Sequence, residues 1–170
     1  MLNIGDVFSV VASLTGLFLT TTTIILGLGL FFRETTEAAA TRIDAERSRP
    51  FWIGMLVGVP AFVLSIALSS AANPLAKFAG IMLMMWLLSI TLLGAAAIAE
   101  VVSRRIRTLD QSSSPFATFS KGAVILVGSM LFPIVGWIFI LPMVLIIGFG
   151  AATQTLFASR RRTPVVSEVS

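Results

Sequence analysis

Glu100 is the one carboxylate set within a long apolar segment, and an acidic side chain there points by default to a proton or ion site. Arg104 follows one helical turn later, so an ion pair at the segment's end accounts for the same residue and is the expected arrangement. On that reading Glu100→Gln costs under about 1 kcal/mol. The second polar feature is the run Thr20–Thr23 in the middle of the first apolar segment. Four consecutive positions cover every face of a helix, and a threonine hydroxyl can bond the carbonyl one turn back. A helix contact therefore accounts for the run better than a pore lining. Glu34, Glu37, Asp44 and Glu46 alternate with Arg33, Arg42, Arg47 and Arg49. Solvated helix pairs are expected from that pattern, not paired carboxylates for acid/base work. Serines and threonines are abundant, but the chain has no His, Cys or Tyr, and no Lys at mid-membrane depth to activate a hydroxyl. Composition thus excludes imidazole and thiolate catalysis, disulfides, and His or Cys ligation of a metal or haem. No catalytic residue, cofactor or metal site is expected, and the protein reads as a non-enzyme.

The elements that would position these residues are membrane helices. Of 170 residues, 56% are hydrophobic and only 12% charged, with a mean hydropathy of +0.99. Soluble domains carry about 25% charged residues, which excludes a water-soluble globule. About 20 apolar residues cross the bilayer core as a helix. The first such stretch, 7–32, has no basic residue ahead of it and is too long for a secretory signal, so a retained helix is expected. The second, 51–71, is opened by Pro50 and Trp52 and closed by Asn73-Pro74. The third, 75–102, ends at Arg104-Arg105. Residues 33–49 are rich in Ala, Glu and Arg and predict a helical extension of the first helix into the cytoplasm. A single membrane domain over 1–162 and a disordered tail over 163–170 complete the division.

Residues 122–157, 36 in a row, carry no charge. One straight helix of that length would be about 54 Å long, more than tilting absorbs. Pro133, Gly136 and Trp137 lie together near its middle. A broken hairpin is expected, with limbs over 118–132 and 137–158 packed against each other and Gly136 free to take a positive φ at the turn. Pro142 is expected to kink the returning limb. The fold class is therefore all-α, with three transmembrane helices plus a C-terminal broken helical hairpin, four to five membrane segments in all.

This layout gathers Arg33, Arg42, Arg47, Arg49, Arg104, Arg105, Arg107, Lys121 and Arg160–Arg162 on one face, with only Lys77 opposite. The positive-inside rule makes that face cytoplasmic, with the N-terminus outside and the C-terminus inside. The clusters Arg104, Arg105, Arg107 and Arg160, Arg161, Arg162 are expected to anchor on anionic lipid headgroups, at about 1 kcal/mol per residue. The net charge of +4 then needs no nucleic-acid partner. Small residues recur at helix-packing spacing, Gly54 with Gly58 and Ala95 with Ala99. Helices in lipid associate through close contact, so these pairs are expected at helix interfaces, within the chain before between chains.

Residues 119–157, FSKGAVILVGSMLFPIVGWIFILPMVLIIGFGAATQTLF, carry a P-x-x-G-W turn and then a G-x-G-A patch, with an Arg-rich end after them. Together with the long apolar stretch 76–107, these motifs make residues 51–162 resemble the small bacterial membrane modules found beside or fused to bactofilins, which are polymer-forming cytoskeletal proteins. The resemblance implies an accessory module of the bacterial inner (cytoplasmic) membrane, without catalysis and with a cytoskeletal polymer as a partner. The leading expectation is a non-enzymatic scaffold or accessory subunit that packs against other membrane proteins or a second copy of itself. The alternative is a small transporter or channel component whose broken element at Pro133–Gly136, with Glu100 and the Thr run, lines a pathway. Convergence of polar groups at one buried depth discriminates the two.

Overall fold

The computed structural model describes residues 4–46, 48–109, 112, 114–132 and 134–159, and all their regular structure is helical. Helix α1 spans Ile4–Phe31, α2 Arg33–Ala45, α3 Ser48–Ile53, α4 Val59–Ser69, α5 Pro74–Leu109, α6 Pro115–Leu131 and α7 Leu141–Ser159. A π-helical turn at Gly54–Gly58 joins α3 to α4, and another at Gly136–Ile140 leads into α7. Among the described residues four helices are long and apolar enough to cross a membrane, over Ile4–Phe31, Ser48–Ser69, Pro74–Leu109 and Gly136–Phe157. The apolar α6 has 17 residues and is about 25 Å long, somewhat short of a bilayer core. The expected tail at 163–170 lies outside the described residues.

Both π turns precede a proline at the same offset, Gly54 before Pro60 and Gly136 before Pro142. A proline ring presses on the carbonyl four residues back and offers no N–H in return. Those carbonyls belong to Leu56 and Ile138, each inside a π turn, where the wider loop moves them aside. The N–H groups of Val59 and Leu141 reach back five residues, to the carbonyls of Gly54 and Gly136. The kink expected at Pro142 is thus absorbed one turn earlier.

Helix α1 does not run on as a straight extension. Phe32 takes φ −114° and ψ 40°, which breaks the rod and re-aims the chain. Helix α2 then ends at Ala45 and docks on α5 and α7, burying Thr36, Ala39 and Ala40. Over 33–45 the expected projection is instead a packed helix. Ala39 meets Ala97 of α5 and Ala151 of α7, where three small side chains let three helices close up.

Helix α5 is the axis on which α1, α2, α4, α6 and α7 all pack. It continues through Arg104, Arg105 and Arg107 to Leu109, beyond the end expected at 102. Ala96, Ala99 and Ser103 turn one face to α6, with Gly122 against Ala99 and Ser103. Leu87, Ile90, Gly94 and Ala97 turn the opposite face to α7, with Gly148 against Gly94. Helix α6 starts near the far end of α5 and runs back along it, whereas α7 runs parallel to α5. The chain therefore reverses between them, as the uncharged 36-residue stretch requires.

The expected contact between the two limbs is not the main one. They meet at the turn, where Gly136 lies against the carbonyls of Ser129 and Met130, and then pass on either side of α5. Gly136 does not take a positive φ either; among the described residues none does. Its missing side chain serves close approach, because a Cβ there would strike those two carbonyls. Phe132, at φ −65° and ψ 118°, breaks the helix, as a residue before proline does. Pro133 itself lies outside the described residues. Trp137 is 60% exposed beside the turn.

Candidate functional site

The charged residues of α5 meet those of α2 at one end of the bundle. Glu100 is 8% exposed and accepts from two guanidiniums, Arg104 Nε at 3.4 Å and Arg107 Nη2 at 2.5 Å. Their spacing of four and seven residues puts all three on one helix face. Arg104 also crosses to α2, where its Nη1 lies 3.2 Å from Thr41 Oγ1 and 3.6 Å from Asp44, and its Nη2 donates to the Glu37 carbonyl at 3.2 Å. One guanidinium thus ties three residues of α2, Glu37, Thr41 and Asp44, to α5. At the start of α2, Arg33 Nε donates to Glu37 at 2.7 Å, and this hydrogen bond holds the Arg33 pKa above its ordinary value. From the same helix Arg42 donates to the Gln154 carbonyl on α7 at 3.2 Å. Three guanidiniums, Arg33, Arg104 and Arg107, face three carboxylates, Glu37, Asp44 and Glu100.

Beside this network lies a cleft of about 90 Å³, bordered by Arg33, Thr36, Glu37, Glu100 and Arg107 and by the apolar Leu30, Phe116 and Phe119. The Phe119 ring fills the space that a side chain at Gly29 would occupy. Two buried donors there, the Thr36 hydroxyl and Arg107 Nε, have no hydrogen-bond partner among the described residues.

The residues singled out from the sequence fall into separate places. Glu100 pairs with Arg104 as expected and with Arg107 besides. Arg104 and Arg107, expected at lipid headgroups, turn inward to carboxylates, whereas Arg105 is exposed. Arg160, Arg161 and Arg162 lie outside the described residues. Gly54 and Gly58 do not meet Ala95 and Ala99. A Cβ at Gly54 would strike the Ile146 carbonyl and one at Gly58 the Phe149 ring, so both serve the contact with α7. Ala95 and Ala99 pack in a cluster with Ile25, Phe119 and Ala123. Of the Thr run, Thr22 is buried, its hydroxyl without a partner among the described residues, while Thr20 and Thr23 face outward.

One feature escaped the sequence reading. Helix α1 packs on the bundle through Phe18, Thr22, Ile25 and Gly29. On its other face Ser9, Ser13, Gly16, Thr20, Thr23 and Gly27 recur at alternating steps of four and three residues. At 3.6 residues per turn these six form one straight seam opposite the packed face. The first five are exposed, and nothing lies within 4 Å of where a side chain would start at Gly16 or Gly27. The four-three spacing was the available signal, obscured because Thr20–Thr23 read as a block.

Compared with known proteins, the chain matches no family model, no curated sequence and no solved structure. Fold and site together define an all-helical protein with four helices able to cross a membrane and an ion-pair network at one end of its central helix.

Proposed function

We propose that the chain is an integral membrane scaffold or accessory subunit that holds a partner helix against α1. The seam of Ser9, Ser13, Gly16, Thr20, Thr23 and Gly27 carries this reading. Lipid tails solvate Leu and Ile as well as a protein does, so a lipid-facing helix gains nothing from a row of small and hydroxylated residues. A second helix does gain, because such a row lets two backbones approach and gain van der Waals contact. Gly54, Gly58, Ala95 and Ala99 are occupied within the chain, which leaves α1 as the face for assembly. The transport alternative needs polar groups at one buried mid-depth. The described ionisable groups of α5 beyond Lys77 gather instead at its end, where Glu100 pairs with Arg104 and Arg107 and Arg104 also reaches Asp44 of α2. Membership of a bactofilin-linked assembly in the bacterial inner membrane stays part of this proposal.

Differently tagged copies, co-expressed and drawn from native membranes, test it. Gly16→Leu should abolish capture of the partner, whether a second copy or another membrane protein, while leaving the protomer's melting point unchanged, since the site is open. Capture unaffected by Gly16→Leu and by Thr20→Leu removes α1 as the assembly face.

The proposed orientation has the N-terminus outside and the basic face in the cytoplasm. Cysteines introduced singly by Lys121→Cys and Ser159→Cys, in a chain without other Cys, should both be labelled from the cytoplasmic side. Labelling of both from the outside overturns the proposed orientation, and labelling of Ser159→Cys alone from the outside overturns the reversal itself, leaving a single kinked span.

A further inference from the structure

The cleft beside Glu100 is lined by two kinds of surface, charged and apolar, and it holds unspent donors. Thr36 is 2% exposed, and neither its hydroxyl nor the buried Arg107 Nε has a partner among the described residues. Each buried donor left this way costs about 1–3 kcal/mol, which an incoming acceptor recovers. Phosphate oxygens accept from both an O–H and a guanidinium N–H.

Charge balance selects among phosphates. Arg33 and Arg107 face Glu37 and Glu100 in the lining, so the cleft is electrically even. A bare anion would place uncompensated negative charge next to two carboxylates. A phosphate with a primary ammonium a short linker away keeps the balance, and its N–H groups find acceptors on Glu37. The cleft also lies where α1 ends, at Phe31, and where the apolar part of α5 gives way to Glu100. Leu30 and Phe116, both more than half exposed, form its apolar margin. We propose that this cleft binds the headgroup of an ethanolamine-type zwitterionic phospholipid. The phosphate takes the Thr36 hydroxyl and Arg107 Nε, the ammonium takes Glu37, and the acyl chains leave over Leu30 and Phe116. This rests on the membrane reading above.

The test mixes the purified full chain in detergent with equal amounts of phosphatidylethanolamine, phosphatidylcholine and phosphatidylglycerol, and counts retained lipid by native mass spectrometry. Phosphatidylcholine has the phosphate but no ammonium N–H, and phosphatidylglycerol has the phosphate but no cation. Preferential retention of phosphatidylethanolamine is expected. Arg107→Gln and Glu37→Gln should each lower it roughly tenfold, as loss of one charge-assisted hydrogen bond does. Glu37 is 45% exposed at its side chain, so that variant leaves the fold intact. The near-isosteric Thr36→Val should lower retention of all three lipids. Equal retention of the three lipids overturns the proposal, as does a preference unchanged in both charge variants. Displacement of the lipid by inorganic phosphate overturns it too, in favour of a free-anion site. Reconstitution in vesicles of phosphatidylcholine separates the two readings. Failure to insert removes the membrane reading itself, whereas insertion without headgroup preference overturns the cleft alone.

Discussion

Gly94→Leu should strip the protein of its stable core, at a cost of about 3 kcal/mol, the upper end for overpacking. The α carbon of Gly94 faces the backbone of Gly148, and a Cβ at either position would meet main chain of the other helix. A flexible neighbour could rotate away, but a backbone cannot, so α5 and α7 must separate along their length. The contacts that follow the crossing go with it, including Leu87, Ile90 and Leu93 against Phe149 and Ala152. Thermal unfolding in detergent, followed by circular dichroism, reads the effect. Gly16→Leu, which places the same side chain in open space, is the control. Equal midpoints for Gly94→Leu and wild type would mean that the two helices do not cross there.

Glu100→Ala is the second large effect, expected at about 1–3 kcal/mol. As an exposed pair, Glu100 with Arg104 would be worth under about 1 kcal/mol. The structure alters that estimate because Glu100 is 8% exposed and serves two guanidiniums, one of which ties α2 to the bundle. Arg104 and Arg107 keep 33% and 36% of their side-chain surface in the open, so water takes up part of the loss and the full cost of a stranded buried charge does not apply. Thermal unfolding of Glu100→Ala beside Glu37→Gln measures the difference. A drop no larger than that of Glu37→Gln would mean that Glu100 acts as a surface group.

The comparison of sequence with structure turns on which constraints were local. The helix breaks at Asn73-Pro74 and Phe132-Pro133 were legible, because proline acts on its immediate neighbours. The reversal in the last third was legible too, since 36 uncharged residues cannot lie along one straight span. The partner of each limb was not legible, because Gly122 and Gly148 find their neighbours on α5 and nothing in either limb's own pattern names that helix. The same holds at the site. Arg104 four residues after Glu100 was visible at helical spacing, but the docking of α2, which brings Thr41 and Asp44 to Arg104, depends on the break at Phe32. No proline or glycine marks that break.

The docking of α2 on α7 also orders events in time. Arg42 donates to the carbonyl of Gln154, 112 residues further along, and Ala39 lies against Ala151. A ribosome adding 5–20 residues per second needs roughly 6–22 s to cover that distance. Once α2 has left the ribosome, one of its two main supports does not exist until the end of that interval. Its docked face stays half uncovered, open to chaperones, to the translocation machinery or to an assembly partner. The last helix to be made thus completes the seat of the second, and a nascent chain stalled before α7 would hold α2 without its contacts to Ala151 and Gln154.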